Sequence, residues 1–180
     1  MTAFEHAFAV VVGHEGGYDA TQADPGNWTG GAVGQGTLGG TKFGISAAAY
    51  PTLDIANLTP EQAQAIYKRD YWDHVRGDDL PPPLALLVFD AAVNNGVARA
   101  ARWLQAAAGT TADGEIGPGT LAALDAAVAK TGGAPLCAEF MAQRLSFMAS
   151  LPTWKVFGLG WARRLCALPY ESLTMTDAAA

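Results

Sequence analysis

The sequence predicts a mostly helical fold, all-α in bulk with an α+β character from one small insertion. The expected architecture is a helical bundle around a central apolar helix, with a Gly-rich β-hairpin beside a functional site. Three observations carry this. Apolar residues recur at helical spacing between recognisable caps through most of the chain. The stretch Leu84 to Val93 is apolar nearly all round, as a helix at the centre of a bundle must be. Between Asp19 and Gly44 the composition changes abruptly to DATQADPGNWTGGAVGQGTLGGTKFG, in which no helix survives the glycines. With 180 residues, half of them hydrophobic, the chain can bury one substantial core and is not disordered.

Taken in order, the first helix spans Thr2 to His14. Phe4, Phe8, Val11 and Val12 share a face, Thr2 is the N-cap, Glu5 completes a capping box, and Gly16-Gly17 stop the helix. The Gly-rich stretch follows, and alternation around Gly31 to Phe43 allows a short hairpin. A long irregular segment in a compact domain usually carries function. Thr59-Pro60-Glu61-Gln62 then opens a helix running to about Val75, with Tyr71 and Trp72 assigned to the core. Pro81-Pro82-Pro83 precedes the central helix, Leu84 to about Asn94, which Gly96 ends. An amphipathic helix, Ala98 to Ala108, leads through GTTADGEIGPGT to further helices at Leu121–Lys130, Leu136–Ser150 and Trp154–Leu168. Residues 1–95 and 96–172 form two segments expected to pack as one compact domain, and 173–180 a flexible tail.

Composition excludes several functions. The net charge of −6 disfavours nucleic acid, which needs a basic face; the pairs Lys68-Arg69 and Arg163-Arg164 read as solvated helix faces. No apolar run reaches the roughly 18 residues of a membrane span. Cys137 and Cys166 sit in apolar helical contexts and make no disulfide framework. His6, His14 and His74 lie outside any metal-ligand spacing, so no metal and no cofactor is expected. The N-terminus has no basic n-region and is not a standard signal peptide.

The chemistry points to Glu15, Asp24 and a threonine. A carboxylate in the last turn of the first helix faces the negative end of the helix dipole, which raises its pKa and suits an acid that must stay protonated near neutrality. The glycines beside it let substrate approach the backbone. Asp24, in a Pro-Gly turn nine residues later, is either a turn former or the second carboxylate that glycoside hydrolysis uses. The hydroxyl of Thr29 or Thr41 can hold a water but is no base. His14 reads as a favourable helix-end cation.

These residues resemble a known signature. Glu15-Gly16-Gly17-Tyr18, then Asp24-Pro25-Gly26, then Thr41 with Gly44-Ile45-Ser46, is similar to glycoside hydrolase family 108, lysozyme-like N-acetylmuramidases found among phage endolysins and bacterial muralytic proteins. FDAAVNNG, with Asp90, Asn94 and Asn95, resembles the family's central helix. WLQAAAGTTADGEIGPGTLAAL resembles the LQ…DG…G..T..AL pattern of predicted peptidoglycan-binding segments, although the same residues also make an ordinary helix-turn-helix. The sequence departs from shorter family members by about a dozen residues, near Gly30 to Gly40, between the Asp turn and the Thr.

The resemblance implies a lysozyme-like α+β fold and cleavage of the β-1,4 bond between N-acetylmuramic acid and N-acetylglucosamine. Glu15 is then the acid, Asp24 positions or activates water, and Thr41, directly before KFGIS, assists in preference to Thr29. Tyr18, Trp28, Thr29, Asn94 and Asn95 are candidates for binding substrate; Trp28 could equally anchor the hairpin, and Asn94 and Asn95 could simply cap their helix. The partner is the glycan strand of peptidoglycan, with no nucleic acid and no membrane insertion, and the protein is expected to be a monomer. Without a standard signal peptide, it is expected to be made in the cytoplasm and to reach the periplasm or wall through a holin or a secretion route. The alternatives are a non-catalytic wall-binding or virion structural module, and a chitinase-like hydrolase of a related aminosugar polymer.

Overall fold

A computed structural model describes residues 1–13, 17–173 and 175. Seven α-helices and one two-stranded antiparallel sheet are present among them: α1 Ala3–Val12, β1 Thr41–Lys42, β2 Ile45–Ser46, α2 Pro60–Tyr67, α3 Pro82–Asn95, α4 Val97–Ala107, α5 Pro118–Thr131, α6 Gly133–Ser150 and α7 Trp154–Leu173. The chain divides into two compact units, Phe8–Tyr67 and Met1–Ala7 with Lys68–Ala180.

The larger unit is built on α3. Leu84 through Ala92 are buried without exception, so the helix is apolar all round because it has neighbours all round. Helices α4, α6 and α7 pack on it. Phe4, Trp72 and Phe89 meet edge to face, with ring centroids 5.4 to 6.0 Å apart, an arrangement that ring quadrupoles favour. Trp72 is fully buried and its indole N–H donates to Asp78 Oδ1 at 2.9 Å. The single charge inside α3, Asp90, is fully buried between Arg144 of α6 and Arg164 of α7. Arg164 is therefore more than a solvated charge: though partly exposed, it pairs with a carboxylate 74 residues away in sequence.

Local signals set the helix starts. The Thr2–Glu5 box is reciprocal, with the Thr2 N–H on Glu5 Oε2 at 2.7 Å and the Glu5 N–H on Thr2 Oγ1 at 3.2 Å. Thr59 and Gln62 repeat it ahead of Pro60, at 2.9 and 3.3 Å. The helix expected to run on to Val75 instead ends at Tyr67 and continues as a π turn, Lys68–Trp72, closed by the Asp73 N–H on Lys68 O at 2.8 Å. Helix α7 extends past the expected Leu168 to Leu173 with Pro169 inside it, and Cys166, despite its apolar sequence context, is exposed.

The smaller unit is largely irregular, as its glycines require. Its hairpin sits later than expected: β1 and β2 pair Thr41 with Ser46 and Lys42 with Ile45. The expected stretch from Gly31 to Phe43 supplies β1 at its end, and ahead of it a looser antiparallel turn, with the Trp28–Leu38 bridge, the Thr29 N–H on Thr37 O at 2.9 Å and the Gly30 N–H on Gln35 O at 3.1 Å. Phe8 packs edge to face on Tyr67 at 5.4 Å, and the Tyr67 hydroxyl donates to Phe43 O at 3.0 Å, holding the hairpin turn.

Candidate functional site

The site in the smaller unit is organised by Asn27, a fully buried side chain that sequence reading did not single out. Its amide donates to Asp19 Oδ2 and Thr21 O, each at 3.1 Å, and its carbonyl accepts from the Thr41 hydroxyl at 2.7 Å. Its backbone carbonyl accepts the N–H groups of Gly39 and Gly40 at 2.9 and 3.0 Å. One side chain thus joins the Asp-Pro-Gly turn to the strand that carries Thr41. Gly40 makes the approach possible: its φ of +78° suits glycine alone, and a Cβ there would lie 2.7 Å from Asp19 O. Asp19 and Thr41 then pair backbone to backbone, at 2.9 and 2.7 Å.

The two aspartates of this network differ in how many of their oxygens are engaged. Both oxygens of Asp19 are engaged, Oδ1 by the Thr21 hydroxyl at 2.6 Å and the Thr21 N–H, Oδ2 by Asn27. The Thr21 hydroxyl, then Asn27, hold its pKa below the ordinary carboxylate value. Asp19 is an ionised brace. Asp24 is exposed and caps the short 3₁₀ turn Pro25–Asn27 through Oδ1, which accepts from the Gly26 N–H at 2.8 Å; Oδ2 has no partner among the described residues. The Ala48 N–H donates to Gly26 O at 3.0 Å, tying this turn to the chain just beyond β2. Asp24 and Thr41 are therefore set on one small scaffold, three residues and one hydrogen bond from Asn27.

The other residues singled out in sequence fall as follows. Thr29 Oγ1 accepts from the Thr37 N–H at 2.8 Å and closes the Gly-rich loop. Trp28 is half-buried, and its indole N–H donates to Gln22 O at 2.9 Å. Tyr18 is exposed, its hydroxyl donating to Gly39 O at 3.2 Å. In the larger unit, Asn94 Nδ2 donates to Asp90 O at 2.8 Å, and Asn95 Oδ1 accepts from Arg144 Nε at 2.9 Å. Glu15 and His14 lie outside the described residues, and α1 ends at Val12, three positions ahead of Glu15. Among the described residues no group of three His, Cys, Asp or Glu could hold a metal ion.

The LQ…DG…G..T pattern has a clear structural use. Gln105, almost fully buried, donates through Nε2 to Asp113 Oδ1, Glu115 O and Thr120 Oγ1 at 2.7 to 3.1 Å, and accepts the Gly114 N–H at 2.9 Å. Gln105, Asp113, Gly114 and Thr120 therefore bond one another across the turn between α4 and α5.

Comparison with known proteins decides the family. The family described as glycosyl hydrolase 108 matches residues 8–96, and one described as a predicted peptidoglycan domain matches residues 99–166. The solved structure of Brucella abortus SagA is 33% identical, over 95% of this chain and 94% of that one, with a TM-score of 0.75. The chain belongs to glycosyl hydrolase family 108. No curated protein matches it. This family member is a glycoside hydrolase acting on peptidoglycan, with the α+β lysozyme-like fold, and no helix among its described residues is long and apolar enough to cross a membrane.

Proposed function

We propose that the enzyme is an N-acetylmuramidase that hydrolyses the β-1,4 bond between N-acetylmuramic acid and N-acetylglucosamine with inversion. Glu15 gives its proton to the glycosidic oxygen. Asp24 Oδ2 accepts a proton from the attacking water, and Thr41 Oγ1 accepts that water's second hydrogen, leaving an oxygen lone pair for the anomeric carbon. The supporting observation is the Asn27 scaffold, which leaves one oxygen of Asp24 without a partner among the described residues while directing the Thr41 proton to Asn27. With that proton donated, the Thr41 oxygen faces water as an acceptor only. Thr29 instead accepts a backbone N–H. Two carboxyl groups with a water between them are what an inverting glycosidase requires.

The test is digestion of purified peptidoglycan, with the new reducing ends identified and their first-formed anomer read by NMR. Muramic reducing ends, formed as the α-anomer, are expected, and Glu15→Gln should lose roughly 10²–10⁴-fold in rate. Glucosamine ends, a β product, or an unaffected Gln variant would overturn the assignment. The module that binds without cutting predicts no new ends at all, and the chitinase-like reading predicts faster turnover of chitin oligomers.

A further inference from the structure

The larger unit holds a recess of about 160 Å³ that the glycan chemistry does not use. Its walls include Asn94 and Asn95 at the end of α3, Arg144 and Met148 of α6, and Trp161 and Arg164 of α7. It thus draws on both family segments.

Two guanidinium groups converge there on one carboxylate. Arg144 is fully buried, and its Nη1 lies 2.7 Å from Asp90 Oδ1 as an ion pair, yet makes no hydrogen bond of good geometry. Arg144 Nη1 thus has Asp90 as its charge partner but no well-directed hydrogen bond, so donor capacity is left over on the cavity wall. Arg164 pairs with the same Asp90 and is 40% exposed, so it stands at the mouth. The asparagines are complementary. Asn95 has spent its carbonyl on Arg144 Nε, so its amide N–H₂ remains a donor. Asn94, exposed, has spent its amide on Asp90 O, so its carbonyl remains an acceptor. Met148 and the half-buried Trp161 supply an apolar wall.

Donors around a small anion, one acceptor beside them and an apolar surface describe an acylated amino acid with a short side chain and a free carboxylate. We propose that this recess is a subsite for the terminal alanyl carboxylate of wall peptide stems. The carboxylate meets Arg144, Arg164 and Asn95, the preceding amide N–H meets Asn94, and the methyl group lies on Trp161. Naming the alanyl end rests on peptidoglycan as substrate; the preference for an acyl amino acid does not.

Titration calorimetry on the full chain tests it with N-acetyl-D-alanine, its carboxamide, sodium acetate, and stem peptides with and without their terminal alanine. The free acid should bind at least tenfold more tightly than the carboxamide or acetate, and stems should lose that gain when trimmed. Asn94→Asp keeps an acceptor for the amide N–H but sets a negative charge at an exposed rim position, and should weaken the free acid at least tenfold relative to the carboxamide. Equal binding of acid and amide, acetate matching the acyl amino acid, or insensitivity to Asn94→Asp in a variant with unchanged circular dichroism would overturn the proposal. Cleavage of peptide-free glycan strands reads the hydrolase alone. Selective binding without that cleavage would sink the muramidase and spare the subsite, and the reverse outcome would do the opposite.

Discussion

Asp24 and Thr41 differ from their neighbours in what they leave unused. Asp24 keeps one oxygen without a partner among the described residues, and Asn caps a turn as well as Asp does. Asp24→Asn is therefore expected to hold the melting temperature within a degree or two while lowering kcat by about 10²–10⁴-fold. Thr41→Val removes the hydrogen bond to Asn27 and should cost roughly tenfold in kcat with about 1–3 kcal/mol of stability; Thr41→Ser should restore most of both. Steady-state kinetics beside thermal melts separates the two effects. A rate loss that follows the stability loss in both variants would make them structural only. Gln105 is the purer structural case, with its amide and carbonyl both engaged in the α4–α5 turn. Gln105→Leu strands Gly114 N–H and Thr120 and should cost about 1–3 kcal/mol in denaturant unfolding. The motif singles out Asp24 and Thr41 in the sequence but not Asn27, which joins them and whose partners Asp19 and Thr41 are eight and fourteen residues away. Its only advance signal was its place inside DPGNWT, where Asn also reads as a turn former.

Elements governed by local chemistry were legible, and those governed by distant partners were not. The starts of α1 and α2 follow from their capping boxes, and α3 from Pro82 and an unbroken apolar run. The hairpin only overlaps the stretch that alternation suggests, with β1 inside it and β2 beyond it, because Asn27 holds Thr41 and Tyr67 holds Phe43 through contacts that no pattern in the strands shows. Arg164 looked like surface charge because nothing local to α7 shows that Asp90 is waiting for it. The burial of α3 gives a direct test. Leu87→Ala, at a position with no solvent access, should cost about 2–5 kcal/mol. Chemical denaturation reads the loss, and a value under about 1 kcal/mol would mean that α3 is not the centre of its unit.

Over the whole molecule, stability should respond to pH at both extremes. Asp19, Asp78 and Asp113 all have pKa values below the ordinary 3.8, held by the Thr21 hydroxyl, the Trp72 indole and the Gln105 amide respectively. The unfolded chain binds more protons than the folded one in that range, so their contribution is full above about pH 5 and is lost as pH falls through the folded values. Lys68 runs the other way: its pKa is raised above 10.5, chiefly by Asp73, so its contribution holds at neutral pH and is lost as pH rises through the folded value. Melting temperature should be flat near neutrality and decline at each end, with Asp113→Asn shallowing the acid limb alone. Chain length is constrained as unevenly as charge. Residues can be gained or lost in the glycine-rich loop without moving a helix, but the π turn Lys68–Trp72 already contains the extra residue that defines it. Deleting one residue there would let α2 run on with regular pitch and swing Trp72 by about 100° away from Phe4 and Phe89. Insertions and deletions among relatives should accordingly gather in the loop and avoid the turn.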